Sequence, residues 1–243
     1  MRMLAFAKRC AKEILRDPLN LMFGLGFPIV ILLLLSAMQA NIPVDLFEIE
    51  SLTPGITVFG LSFMTLFSAT LIAKDRESSL LQRLYTTPLK SFDYILGYML
   101  PIIPIAIAQS AVCYLIAIAL GLPITINIIY AILMIIPIAI FHIALGLLCG
   151  SLFSVKQVGG ICGALLTNLS AWLSGVWFDL ALVGSTFSKI ADLLPFVHAV
   201  ALERGMINGH ITEALPHIYP VLGYAIGIMA GAILLFLRQM KKQ

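Results

Sequence analysis

Residues 74–93 read Lys74-Asp75-Arg76-Glu77-Ser78-Ser79-Leu80-Leu81-Gln82-Arg83-Leu84-Tyr85-Thr86-Thr87-Pro88-Leu89-Lys90-Ser91-Phe92-Asp93. This is the most polar internal stretch of the chain, and it stands between two apolar runs, 53–73 and 94–120, each long enough to cross a bilayer. It holds four of the fifteen Lys and Arg residues. Outward from it, five more precede Pro18, Lys156 stands in a short polar turn, and three follow Phe236. When the chain is threaded through a membrane at each apolar run, these thirteen fall on one side. Only Lys189 and Arg204 fall on the other. Basic residues are costly to translocate and accumulate in cytoplasmic loops. The bias therefore predicts a multi-pass membrane protein with both termini in the cytoplasm.

Composition supports this. Hydrophobic residues make up 60% of the 243 residues, charged residues 11%, and the mean hydropathy is +1.03. A soluble domain carries about 25% charged residues, so this chain lacks the polarity to cover a wet surface. The net charge of +3 reflects the basic side and implies no nucleic-acid partner. The four cysteines, Cys10, Cys113, Cys149 and Cys162, show no C-x-x-C spacing and read as small buried residues. The first apolar run is too long for the core of a cleavable signal and follows a charged segment.

The predicted fold is an all-α membrane protein of six transmembrane helices. Residues 1–18 form an N-terminal amphipathic helix, with Leu4, Ala7, Ala11, Ile14 and Leu15 on one side and Lys8, Arg9, Lys12, Glu13 and Arg16 on the other; Phe6 is out of pattern. Such a helix lies in the interface with its basic side toward lipid head groups, in preference to a solvated tail. Residues 19–243 form the six-span domain, with crossings near 19–39, 53–73, 94–120, 126–153, 159–178 and 218–237. Gly121-Leu122-Pro123 turns the chain on the outside. Segment 179–216 is too polar for a span and too apolar for a plain loop, so short re-entrant half-helices are expected there. Trp172, Trp177, Phe178, Tyr219 and Tyr224 stand where outer-interface anchors belong. Glycines four apart, at 146/150, 159/163 and 223/227/231, suit close helix packing within the subunit.

Little in the spans can carry chemistry. His142 is the one clear ionisable residue at depth, with Gln109, Asn127 and Asn168 as polar company, and it reads as a helix–helix hydrogen-bonding group. Asp179 stands at the outer edge. There is no H-E-x-x-H, no G-x-S-x-G and no G-x-x-x-x-G-K-[ST], so neither a metal site, a nucleophile elbow nor a P-loop is expected in this chain. His198, His210 and His217 cluster in or beside the outer segment without metal-like spacing.

The polar stretch is different. Asp75 and Glu77 suit the start of a helix, Pro88 follows its stop, and Leu80, Leu81 and Leu84 form an apolar strip beside Arg76 and Arg83. A helix this short is marginal alone and would need a surface to dock on; a solvated loop is the other reading. Here the chain resembles the permeases of the ABC-2 family, which carry E-R-E-x-G-T-L-E-R-L-x-x-T-P-L between spans two and three. Arg76, Glu77, Leu81, Arg83, Leu84, Thr87, Pro88 and Leu89 match that pattern; Ser79, Leu80 and Gln82 depart from it. Leu173-Ser174-Gly175-Val176-Trp177-Phe178 is similar to the end of the family's fifth span. Leu194-Pro195-Phe196-Val197-His198-Ala199 and Leu202-Glu203-Arg204-Gly205 are similar to its outer re-entrant region.

The resemblance implies the permease subunit of an ATP-driven exporter in a bacterial plasma membrane. Two permeases, identical or related, would pair, and separate ATPase subunits would dock on the inner face. ATP and Mg would be held by those ATPases, with no cofactor on this chain. The coupling contact would be made by Asp75, Arg76, Glu77, Leu80, Leu81, Gln82, Arg83 and Leu84. An amphipathic substrate such as a drug, a lipid-like molecule or a small antimicrobial peptide is expected. By depth, Ser62, Phe63 and Phe67 of span two and Asn168 and Trp172 of span five are its candidate path. An ATPase-independent channel or carrier centred on His142 and Gln109 is the competing reading, as is an antimicrobial-sensing or immunity module acting through 179–216.

Overall fold

The computed structural model describes residues 2–43, 46–78 and 91–241, and these form helices and turns with no strand among them. Helix α1 is Arg2–Leu15 and α2 is Pro18–Gln39, with Pro18 at its first position and the Asp17 side chain accepting the Asn20 N–H. Pro suits that position because the N–H it lacks would have no partner there. Helix α3 is Ile49–Glu77. Helix α4, Ser91–Met99, and α5, Ile102–Ala119, are separated at Leu100-Pro101. Helix α6 is Asn127–Leu152, and α7 is a continuous helical path over 155–173. Two shorter helices follow, α8 (Ser185–Asp192) and α9 (Pro195–Ile207), and then α10 (Ile218–Lys241).

Five described segments are long and apolar enough to cross a membrane: Pro18–Gln39, Ile49–Glu77, Asp93–Ala119, Asn127–Leu152 and Ile211–Leu235. Helix α7, expected as a further span running to Phe178, is not among them. It ends at Leu173 and is diluted by Lys156, Gln157 and Asn168. Both α2 and α7 widen into π-type turns at glycine-bearing stretches, Met22–Gly26 and Gly159–Leu166. The turn expected after α5 is present: Gly121 has φ +112, and Leu122 N–H returns to the Ala117 carbonyl at 2.9 Å. Only glycine takes that backbone conformation without strain.

Helix α3 is the axis of the bundle. Its apolar window is 89% buried, against 17% for α2 and for the last span. Helices α2, α5, α6, α7 and α9 all pack on it, while α10 packs on α6 and α1 packs on α4. Three buried hydroxyls on α3 are returned to its own carbonyls, Thr53 to Ile49, Ser62 to Phe59 and Ser68 to Met64, at 2.7–2.8 Å. Burying a polar group without a partner is costly, and this arrangement avoids that cost without an outside partner.

The closest approach is between α3 and α6. A Cβ at Gly146 would strike the Ser68 hydroxyl and the Thr65 carbonyl, and one at Gly150 would meet the Ala69 carbonyl at 2.5 Å. The expectation of packing within the subunit fails for the other glycines. Among the described residues nothing lies within 4 Å of a Cβ at Gly159, Gly223 or Gly227, and Gly231 and Gly163 have only ordinary contacts. Exposed apolar side chains, among them Val30, Leu34, Leu115, Ile129 and Ile226, cover the outside of the bundle as a bilayer requires.

Overpacking a close helix contact costs about 1–3 kcal/mol. Gly146→Leu is therefore expected to lower the thermal unfolding midpoint of the purified chain, and Gly227→Leu to leave it unchanged. Equal effects of the two would show that the α3–α6 contact does not depend on the missing side chain.

Candidate functional site

No helix breaker follows Ala73, and α3 continues through Lys74, Asp75, Arg76 and Glu77. Asp75 and Glu77 therefore close a long helix rather than opening a short one. This projects four charged side chains beyond the apolar core, to a level shared with α1, α4, the end of α6 and the start of α7.

Asp75 is only 2% exposed. Its two carboxylate oxygens accept from both terminal nitrogens of Arg9 on α1 at 2.5 Å, and one also accepts the Tyr98 hydroxyl of α4 at 2.8 Å. Paired donors in a planar fork give Arg its geometric specificity for carboxylate. Arg9 is further held by Glu13 at 2.7 Å. The bond to Asp75 and the nearby negative charge keep its guanidinium firmly protonated, with its pKa raised. Burial pushes the adjacent Cys10 thiol up to about 12, so it stays protonated.

The apolar side of α1 differs from the expected one. Phe6, out of pattern in the sequence, is buried edge-on against Tyr94 and Tyr98, with centroids 5.8 and 5.0 Å away, and it fills the space left by Gly97. Phe6, Ala7, Cys10 and Ile14 face the bundle, while Leu4 and Leu15 are exposed. The aromatic ring outweighs the smaller leucines because a cleft between two tyrosines receives it.

Arg76 donates to the Ser151 carbonyl and, at 2.5 Å, to the Phe153 carbonyl. The last carbonyls of a helix lack partners of their own, so α6 presents a ready acceptor site for a guanidinium. Glu77 accepts the Val155 N–H at 2.8 Å, the first residue of α7. The three residues assigned to coupling thus fasten the root of the polar stretch to α1, α4, α6 and α7. Leu80, Leu81, Gln82, Arg83 and Leu84 lie outside the described residues.

The path residues are not brought together on one surface. Phe63 and Phe67 are buried at the α2–α3 contact, where Phe63 meets Phe27 at 5.9 Å and Phe67 covers Gly24, and Ser62 is buried with its hydroxyl on the Phe59 carbonyl. Asn168 and Trp172 are exposed on α7. Asn168 donates to its own helix at Ala164. His142 is buried and contacts Thr65 of α3 through Nδ1 at 3.2 Å. Gln109, Asn127 and Asn168 bond elsewhere.

At the opposite end of the bundle, two adjacent residues of α9 escaped sequence reasoning as a site. Arg204 donates to the Ser51 and Gly175 carbonyls, each at 3.1 Å, tying the start of α3 to the turn after α7. It borders a cleft of about 730 Å³ shared with Trp177, Phe178 and Asp179. Its rank as one of two basic residues on a base-poor side was the available signal. Glu203 is fully buried; one oxygen accepts the Tyr114 hydroxyl at 2.8 Å and the other has no partner among the described residues. Burial pushes its carboxyl up to about 8. Among the described residues no group of three or more His, Cys, Asp or Glu side chains is placed to hold a metal ion.

Two outcomes are expected. Arg9→Met alone strands the buried Asp75 carboxylate and is expected to cost about 3–5 kcal/mol of stability. Arg9→Met combined with Asp75→Leu is expected to recover most of that in a double-mutant cycle of unfolding free energies. Second, the fold favours neutral Glu203, so its contribution is complete below its ordinary value of 4.5 and is lost as pH rises toward about 8. Glu203→Gln is therefore expected to unfold at a higher temperature than the parent at pH 8.5, by about 1 kcal/mol or more, with the gap closing at pH 5. A constant gap across that range would remove the assignment of a neutral carboxyl.

No curated protein matches the chain significantly. The family model for the ABC-2 type transporter matches residues 1–207, a range that takes in α1, the axial helix with its charged end, and the α9 clamp at the other end. With most of its length matched and its described residues forming five apolar helices of membrane-crossing length, the chain belongs to the ABC-2 type transporter family and is a membrane permease of an ABC-type transporter.

Proposed function

We propose that this chain is the permease half of an ATP-driven exporter, coupled to separate ATPase subunits through residues 74–93. The observation that carries the reading is the anchoring of α3 at its charged end. Asp75, Arg76 and Glu77 link the root of that stretch to four other helices at once. A push on the loop would reach the axial helix directly, and α1, α4, α6 and α7 with it. The stretch re-enters the described residues at Ser91 on α4, whose Tyr98 shares the same carboxylate. Leu80, Leu81 and Leu84 would supply the buried contact with the ATPase, and Gln82 and Arg83 the polar register.

In this reading the chain crosses the bilayer six times, with α7 as the fifth crossing. Glycines and Asn168 are tolerable there because a second permease copy would cover them. Helix α1 lies in the inner interface, 179–216 re-enters from the outer side, and both termini are cytoplasmic in a bacterial plasma membrane. The substrate is amphipathic: a drug, a lipid-like molecule or a small antimicrobial peptide. Because Ser62, Phe63 and Phe67 are buried within one subunit, the exposed pair Asn168 and Trp172 is the better candidate for the path between two copies.

Co-expression with the cognate ATPase, followed by purification through this chain, tests the coupling. The ATPase is expected to co-purify. Arg83→Glu is expected to lower the amount retained, or its substrate-stimulated hydrolysis, by about ten-fold or more. Glu77→Lys also removes the Val155 contact, so Arg83 is the cleaner probe. Purification without any ATPase, or normal coupling in Arg83→Glu, would overturn the reading in favour of a channel or carrier.

A further inference from the structure

The cleft between α1, the start of α2 and the end of α3 has chemistry that coupling does not use. We propose that it binds the phosphate of an anionic phospholipid head group from the surrounding membrane. Lys8, Lys12 and Arg16 are exposed and stand four residues apart, so they form one stripe along α1 with steps of about 6 Å. All three line a cleft of about 800 Å³ together with Lys74. The carboxylates in the same cleft are engaged: Glu13 with Arg9 at 2.7 Å, and Asp17 with Asn20 at 2.9 Å and Lys74 at 3.4 Å. Among the described residues no carboxylate pairs with Lys8, Lys12 or Arg16. Three cations therefore face this open cleft with no carboxylate paired to any of them among the described residues.

What lies next to the cleft decides between a lipid and an acidic protein surface, for Pro18 lines it and leads directly into the exposed start of α2. Leu19, Met22 and Phe23, at the start of α2, are 67%, 65% and 45% exposed, and Leu4 and Leu15 on α1 are also uncovered. Cations bordered by uncovered apolar side chains match a ligand with a phosphate at one end and acyl chains at the other. Each basic residue near an anionic membrane surface adds about five-fold to the attraction. Helix α1 is held from behind by Phe6, Cys10 and Ile14, so the stripe is preorganised rather than folded by the ligand. The inference rests on the interfacial placement of α1 given above.

The test is native mass spectrometry of the purified full chain with phosphatidylglycerol or phosphatidylcholine of identical acyl chains. Phosphatidylglycerol is expected to be retained at least about five-fold better, with the preference falling as salt is raised. Lys8→Gln, Lys12→Gln and Arg16→Gln combined leave the buried face of α1 intact and are expected to remove the preference while the protein stays monodisperse. Inorganic phosphate in excess is expected not to displace the lipid. Equal retention of the two lipids, an unaltered preference in the triple variant, or displacement by inorganic phosphate would each overturn the proposal. ATPase co-purification with the triple variant is read separately. Loss of ATPase with lipid retention unchanged would assign the cleft to the ATPase and overturn the lipid site, yet leave the exporter reading standing.

Discussion

Helix α3 can occupy the centre of the bundle only because α6 presents no side chain at Gly146 and Gly150. In a bilayer, apolar burial does not drive helices together as it does in water, so association depends on packing and hydrogen bonds. Two missing Cβ atoms let the Thr65–Ala69 stretch of α3 approach the backbone of α6. That proximity brings Ser68 within reach of the Ile143 carbonyl and Thr65 within reach of the His142 carbonyl and ring. With α3 fixed against α6, the remaining helices have an axis on which to assemble. His142 is thereby occupied in holding two helices together.

The same axis sets the height at which its charged end emerges. One turn past the apolar core, Asp75 meets Arg9 and Tyr98, Arg76 meets the terminal carbonyls of α6, and Glu77 meets the first N–H of α7. A buried ion pair contributes little net stability compared with apolar side chains, but it is strict about geometry. Its value here is positional. It fixes the rotation of α3 relative to α1 and to α4, the helix that follows the polar stretch. The opposite end is secured differently: Arg204 bonds the Ser51 and Gly175 backbone carbonyls, and Glu203 is kept neutral in a closed site beside Tyr114.

Helix α1 joins these two themes. One face closes on the bundle through Phe6, Cys10 and Ile14, and Arg9 on its flank completes the buried pair with Asp75. Lys8, Lys12 and Arg16 line a cleft that ends at Pro18, where the uncovered start of α2 begins. An amphipathic helix in this position has one side closed on the bundle and the other left exposed beside the start of α2.

The membrane class, the helical content and the near-register of five long apolar helices were legible in composition, run length and the distribution of Lys and Arg, because bilayer thickness acts on each segment separately. The polar stretch and its family pattern were legible for the same reason: they are local in sequence. What the tertiary structure decided was every relation between segments. Residue pattern alone made Phe6 an exception, Asp75 a loop residue, Phe63 and Phe67 path residues, and Gly223 and Gly227 packing residues. Packing made Phe6 an anchor, buried Asp75 under Arg9 and Tyr98, turned Phe63 and Phe67 into contacts with α2, and left the two glycines uncovered. A hydrophobic period states that a face will be buried, but the partner that covers it, and whether a charge finds a counter-charge 66 residues away, depends on how the helices meet.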